Sequence, residues 1–169
     1  MADRPARPPG IDGIVKPHQT ASDIASPGAG AVTATSVQGV TLHQMHLAVD
    51  VRGSITAGEF PAQLPFLPKR YFLVFAVPGQ EVRGEHAHRR CHQFLVCASG
   101  SVTVLVDDGT TREEIVLDRP DVGLYVPPMI WSVQNRYSSG ALLLVLASDP
   151  YDPADYIRDY DEFLSAVRP

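Results

Sequence analysis

Between Thr41 and Ala147 the chain is written in short apolar runs of about 5 to 8 residues, the usual strand length. Gly, Pro and Asp-rich turns separate them. No helical pattern of ten or so residues stands between any two runs, so the crossovers that a parallel sheet needs have nowhere to form. An all-β sandwich or barrel with antiparallel neighbours remains. The expected strands are Thr41 to Val49, Gly53 to Glu59, Arg70 to Val77, His86 to Ala98, Ser101 to Val106, Thr111 to Leu117, Val122 to Val126, Trp131 to Asn135 and Ala141 to Ala147. Asp107-Asp108-Gly109 marks one hairpin, because Gly supplies the positive φ of a tight turn.

The two ends differ from this middle. Residues 1 to 38 are dominated by Ala, Pro, Gly, Ser and Thr without a sustained apolar period, and read as a flexible tail with only Ile11, Ile14 and Val15 as anchors. Residues 39 to 169 form the expected single domain. At the C-terminus, Asp152-Pro153 resembles a cap followed by a first-turn proline. Tyr160 to Val167 then makes a short amphipathic helix whose packed side is Phe163, Leu164 and Val167.

A net charge of -5 leaves no broad basic face and argues against nucleic acid as a main partner. No run reaches the ~18 apolar residues of a membrane span and no signal-like h-region opens the chain, so a cytoplasmic protein is expected. Cys91 and Cys97 are too few and too close for a disulfide framework, and read as buried thiols.

Strand period also bears on the histidines. In Arg83-Gly84-Glu85-His86-Ala87-His88 the two imidazoles are one residue apart and project from the same face of a strand. An imidazole titrating near pH ~6.5 serves as proton carrier or as metal ligand, and the pair alone leaves both open.

The cupin type of double-stranded β-helix, or jelly roll, has a motif of Gly, His-x-His, an acidic ligand and Gly, with a further His on a second motif. Gly79, His86, His88 and Gly100 resemble that pattern. Gln93 stands at the acidic position and Ser132, after Trp131, at the second histidine. An amide and a hydroxyl are poor replacements for carboxylate and imidazole, which argues against a metal site unless His92 substitutes.

The stretches Arg83 to His88, Val122-Gly-Leu-Tyr-Val-Pro127, Val145 to Asp149 and Asp155-Tyr-Ile-Arg-Asp-Tyr160 resemble the sugar 3,4-ketoisomerases acting on dTDP-4-keto-6-deoxyglucose. Asp50-Val-Arg-Gly-Ser54 and Lys69-Arg70 add to the match, which spans about residues 48 to 163. The resemblance implies a cofactor-independent isomerase, dimeric through exchange of N-terminal strands, in which His86 moves the carbon-bound proton and His88 assists beside the sugar. The residue chemistry agrees: moving a carbonyl from C4 to C3 needs a base for the C3 proton and donors for the enediolate oxygens, with no net redox change.

Further candidates follow from side-chain chemistry. Arg83, Arg70 and Arg52 offer forked donors for the diphosphate, Tyr125 a hydroxyl at the barrel mouth, and Gln93 an amide to the substrate. Trp131 and Tyr137 are candidates to stack on thymine, against a plain core role. The chain departs from the family at Phe72 and Leu73, where a tyrosine is common, and at Ser132. Two rival readings are a 3,5-epimerase sharing the barrel and a non-catalytic sugar-nucleotide binder.

Overall fold

The computed structural model describes residues 19–20 and 30–168. Two six-stranded sheets face each other. The first runs in the order β1 (Gln19–Thr20), β10 (Arg112–Leu117), β9 (Val102–Asp107), β12 (Trp131–Asn135), β7 (Arg83–His88), β14 (Tyr156–Ile157). The second runs β2 (Val32–Ala34), β3 (Thr41–Gln44), β11 (Val122–Val126), β8 (Gln93–Ser99), β13 (Leu142–Ala147), β6 (Arg70–Phe75). Among the described residues, a hairpin of β4 (His46–Asp50) and β5 (Gly53–Ala57) pairs only with itself. Every ladder is antiparallel except β1 with β10, so the all-β jelly roll expected from the sequence is the architecture found.

Alternation builds the core. Val102, Val104 and Val106 of β9, with Ile115 and Leu117 beside them on β10, face Leu95 and Cys97, Leu124, Leu143 and Val145 across the barrel interior, all buried. Each such side chain contributes about 1.5–3 kcal/mol when removed from water. The opposite face of the second sheet carries a smaller cluster of Met45, Leu64, Phe94 and Val96. Outside the first sheet, α1 (Tyr160–Val167) lays Phe163 on Ala87, Trp131 and Ile157, with Leu164 and Val167 alongside.

Sequence expectations are corrected at one corner and in the tail. The single strand expected over His86 to Ala98 is two strands in different sheets, turning at Arg89 to His92. The turn is held from far away: Asp155 takes the backbone N–H of Arg90 at 2.8 Å and of Cys91 at 3.2 Å on its carboxylate, and that of Arg89 on its carbonyl. A local period carries no trace of such a partner. The boundary of the tail also moves, because β2 pairs with β3 and Val37 is buried in the core. Ser36 donates from its backbone N–H and its hydroxyl to Glu113, so a segment too small to show an apolar period is ordered by ladder and side-chain bonds. The anchors Ile11, Ile14 and Val15, like the rest of 1–18 and 21–29, lie outside the described residues. At the C-terminus the expectation holds: Asp152 caps a 3-10 turn over Pro153–Asp155 with proline in its first turn, and the helix spans Tyr160–Val167, capped by Asp159, whose carboxylate accepts from the Glu162 N–H at 2.8 Å.

Candidate active site

Strand β7 sits next to the open edge of the first sheet, with β14 beyond it and β6 at the corresponding edge of the second. Its alternation sends Ala87 under the helix and His86 and His88 toward the barrel, their ring centroids 4.9 Å apart. A bulge precedes the pair: Ser132 faces His86, but Val133 already faces Gly84, leaving Glu85 extra at φ 55°. Gly84 has φ 84°, and a Cβ there would come within 2.7 Å of the Ser132 carbonyl. Glycine is therefore required at this position.

The bulge sets the state of His86. Its Nδ1 is 3.0 Å from the Gly84 carbonyl, which can only accept, so Nδ1 carries the proton and Nε2 the lone pair. That Nε2 is buried and has no hydrogen-bond partner among the described residues. Burial, chiefly, with the neighbouring His88 and Arg158 adding to it, pushes the pKa of His86 down to about 4, against the Gly84 bond, which works in the other direction. Near neutral pH the ring is an uncharged base with its lone pair unused.

His88 is more completely enclosed and differently held. Its Nδ1 donates to the Asp155 carboxylate at 2.9 Å, and its Nε2 meets the Gln93 amide nitrogen at 3.1 Å. Asp155 is itself buried. Burial lowers the pKa of His88 most, Asp155 opposes, and the charges of Arg70 and Arg158 lower it further. The carboxylate fixes the ring orientation and is placed to stabilise a transient imidazolium.

Among the described residues His88, Cys91 and Asp155 are the one group of His, Cys, Asp or Glu ligand atoms close enough to share an ion. Their atoms already bond one another: Asp155 accepts from His88 Nδ1 and from two backbone N–H groups, so the cluster is accounted for by hydrogen bonds. His92 does not substitute as a ligand. It turns to the outer side of the second sheet, stacks on Tyr125 with ring centroids 5.8 Å apart, and bonds that phenol at 2.6 Å.

The sequence candidates thus divide. His86, His88 and Gln93 converge, and Arg70 is close enough to act on His88 through its charge. Arg83, on the same strand, is exposed beside Leu73, Val74 and Phe75 of β6 at the opening. Tyr125 is not at the barrel mouth: Val122, Leu124 and Val126 take the inward positions of β11 and leave it on the outer face. Arg52 lies at the tip of the β4–β5 hairpin, paired to Asp50 at 2.6 Å, and makes no contact with the histidines. Trp131 packs on Tyr160 and Phe163, and Tyr137 belongs to the barrel core, which gives both the plain reading.

Sequence reasoning missed Asp155, Tyr156 and Arg158 as site residues. Tyr156 pairs with His88 on β14 and lays its ring 4.9 Å from His86 and 4.4 Å from His88. The signal was present in the motif Asp155 to Tyr160, but nothing local connects it to a histidine pair more than sixty residues earlier.

A jelly roll holding one neutral imidazole with a free lone pair, and a second backed by carboxylate, carries the groups of an enzyme that relocates protons on a carbon skeleton. The family model FdtA, described as WxcM-like, C-terminal, matches residues 38–168. The chain is 49% identical over 115 residues, 68% of its length and 83% of the relative, to the TDP-4-oxo-6-deoxy-alpha-D-glucose-3,4-oxoisomerase of Aneurinibacillus thermoaerophilus. The solved WlaRB TDP-quinovose 3,4-ketoisomerase of Campylobacter jejuni is 42% identical with a TM-score of 0.73, covering 76% of this chain and 99% of that one. A QdtA 3,4-ketoisomerase variant from Thermoanaerobacterium thermosaccharolyticum, in complex with TDP-4-keto-6-deoxyglucose, is 34% identical with a TM-score of 0.76, covering 78% and 96%. This chain belongs to the FdtA family, and it is a sugar 3,4-ketoisomerase.

Proposed function

We propose that the substrate is dTDP-4-keto-6-deoxyglucose and that His86 carries the proton between its C3 and C4. His86 Nε2 removes the C3 proton, and the C–H electron pair becomes the C3–C4 double bond as the C4 carbonyl oxygen takes the negative charge. His88 accepts the O3 proton on Nε2 and delivers it to O4, its transient positive charge facing Asp155. Gln93 releases His88 as the substrate oxygens arrive. His86 then returns its proton to C4, leaving the ketone at C3, with no oxidant or reductant consumed. The observation that carries this reading is the buried, unpartnered Nε2 of His86, its tautomer set by Gly84.

An NMR time course with this substrate in heavy water tests it. Solvent deuterium should enter C4 of a 3-keto product, and C3 of the 4-keto substrate recovered from the same reaction. Inversion with the ketone still at C4 would identify an epimerase, and binding without exchange would identify a mere receptor.

The enzyme is further proposed to be a cytoplasmic homodimer that exchanges N-terminal strands and needs no cofactor. Support comes from the self-paired β4–β5 hairpin with exposed Leu47, Val49, Val51 and Ile55, and from exposed Tyr71, Leu73 and Phe75 on β6. Exposed large apolar side chains on two strand edges are what an interface between copies would cover. Arg52 at the hairpin tip then reaches the diphosphate in the neighbouring copy, where Arg83 lines the opening. Both cysteines are free and buried, and no helix among the described residues is long and apolar enough to cross a membrane. A mass measurement in solution should return twice the chain mass, and a monomer would rule out the exchange.

A further inference from the structure

Three segments of the chain meet behind the second imidazole. His88 ends β7, Cys91 lies in the corner that follows, and Asp155 closes the 3-10 turn before β14. All three are enclosed, with 5%, 3% and 4% of their surface exposed. One imidazole nitrogen, the sulfur and one carboxylate oxygen lie within 4.8 Å of one another. The backbone holds them there: Tyr156 pairs with His88, and Asp155 takes the Arg89 N–H on its carbonyl at 2.8 Å and the Cys91 N–H on its carboxylate at 3.2 Å.

Hydrogen bonds join this group in the resting protein, and they use protons that a metal ion can replace. His88 Nδ1 gives one to Asp155 at 2.9 Å. The Cys91 thiol, a weak donor, gives the other to the His92 carbonyl at 3.4 Å. The donor set selects the ion, because thiolate and imidazole suit zinc and its neighbours, whereas magnesium and calcium prefer oxygen alone. Around tetrahedral zinc, ligand atoms at about 2.0–2.3 Å stand roughly 3.3–3.6 Å apart, so shifts of about 1 Å close the group on an ion. Charge favours the same outcome: a thiolate and a carboxylate cancel a divalent cation, and a buried site without net charge costs least. His88 binds through Nδ1, and its Nε2 stays on Gln93.

We propose that His88 Nδ1, Cys91 Sγ and a carboxylate oxygen of Asp155 form an inhibitory site for a zinc-like divalent ion. As the ion enters, the Nδ1–H and Sγ–H bonds break, both protons pass to solvent, and no electrons are exchanged. Binding of the ion stands apart from the isomerase reading, while its effect on turnover rests on that reading. With Nδ1 metallated and Asp155 occupied, His88 loses the means to carry the positive charge that accepting the O3 proton requires. Turnover stops, and the Nε2 side of the ring keeps its shape.

Titration of the whole protein with zinc chloride and with cobalt chloride tests the site. Zinc should abolish turnover at one ion per chain, a chelator should restore it, and dTDP affinity by calorimetry should stay within about two-fold, too small a change for a lost contact. Cobalt should give a thiolate-to-metal charge-transfer band in the near ultraviolet. Cys91→Ser should keep metal-free turnover, lose the band, and need at least about 100-fold more zinc, since even groups behind a ligand are worth 10- to 100-fold in affinity. Cys97→Ser should respond to both ions as wild type does. With two cysteines in the chain, a band retained in Cys97→Ser assigns the thiolate to Cys91 even if Cys91→Ser failed to fold. The site is overturned if cobalt gives no such band, if zinc inhibits Cys91→Ser as it does wild type, or if Cys97→Ser loses the response. A protein that binds cobalt through Cys91 yet leaves the proposed substrate unchanged without metal would keep the site and sink the isomerase assignment.

Discussion

Replacing His86 with Asn should change how stability depends on pH, and the structure sets the size. The ring is held near a pKa of about 4 in the folded protein, against 6.5 for the free group. Between those values the unfolded chain binds a proton that the folded one refuses, so acid favours unfolding and stability rises with pH. Linkage puts the wild-type loss from this one group at about 2–3 kcal/mol between pH 7.5 and pH 4.5. Other groups titrate over the same range, His43 and His88 among them, each lowered mainly by burial. They are common to both proteins, so the difference between wild type and His86→Asn isolates the residue. Urea unfolding at several pH values should show the stability of wild type relative to the variant falling by that amount as pH drops, with most of the change below pH 6.5. A difference independent of pH would refute the claim that His86 is buried and neutral, and with it the basis for calling it the base.

The same variant should retain ligand binding while turnover falls at least ~10²-fold, as for loss of a general base, with His88→Asn less severe; retained C3 exchange in His86→Asn with loss in His88→Asn would reverse the roles. Dialysis against a strong chelator should leave turnover unchanged, whereas a loss restored by one divalent ion would mean that a metal takes part. A truncation beginning at Gly39 should lower the urea midpoint, since it removes Val37, worth about 1.5–3 kcal/mol, and strips Glu113 of Ser36; an unchanged midpoint would show that β2 contributes nothing. Phe163→Ala should cost about 3–5 kcal/mol, because the ring is fully enclosed between helix and sheet, and a loss under about 1 kcal/mol would show that the helix packs loosely.

What the sequence made legible was whatever obeyed a short period. The hairpin at Asp107 to Thr111 was visible because Gly109 has to adopt φ 91°, and the histidine pair because two residues apart on a strand is one face. Tyr125 could also have been placed, since Val122, Leu124 and Val126 leave it the outward position. The bulge at Gly84 and Glu85 was hidden, although it fixes the tautomer of His86, because a one-residue shift leaves no mark on apolar pattern. The corner at Arg89 to His92 was hidden for another reason: the group that bends it, Asp155, lies in a different part of the chain.

Asp155 both ties that corner and orients His88, and this has a consequence for the order in which the molecule becomes competent. Strand β7 leaves the ribosome well before the carboxylate that its second histidine needs. Until Asp155 docks, the backbone N–H groups of Arg90 and Cys91 lack their acceptor and the imidazole lacks its anchor, so the corner and the orientation of His88 are completed together. A substitution at Asp155 therefore acts on the corner and on the imidazole at once.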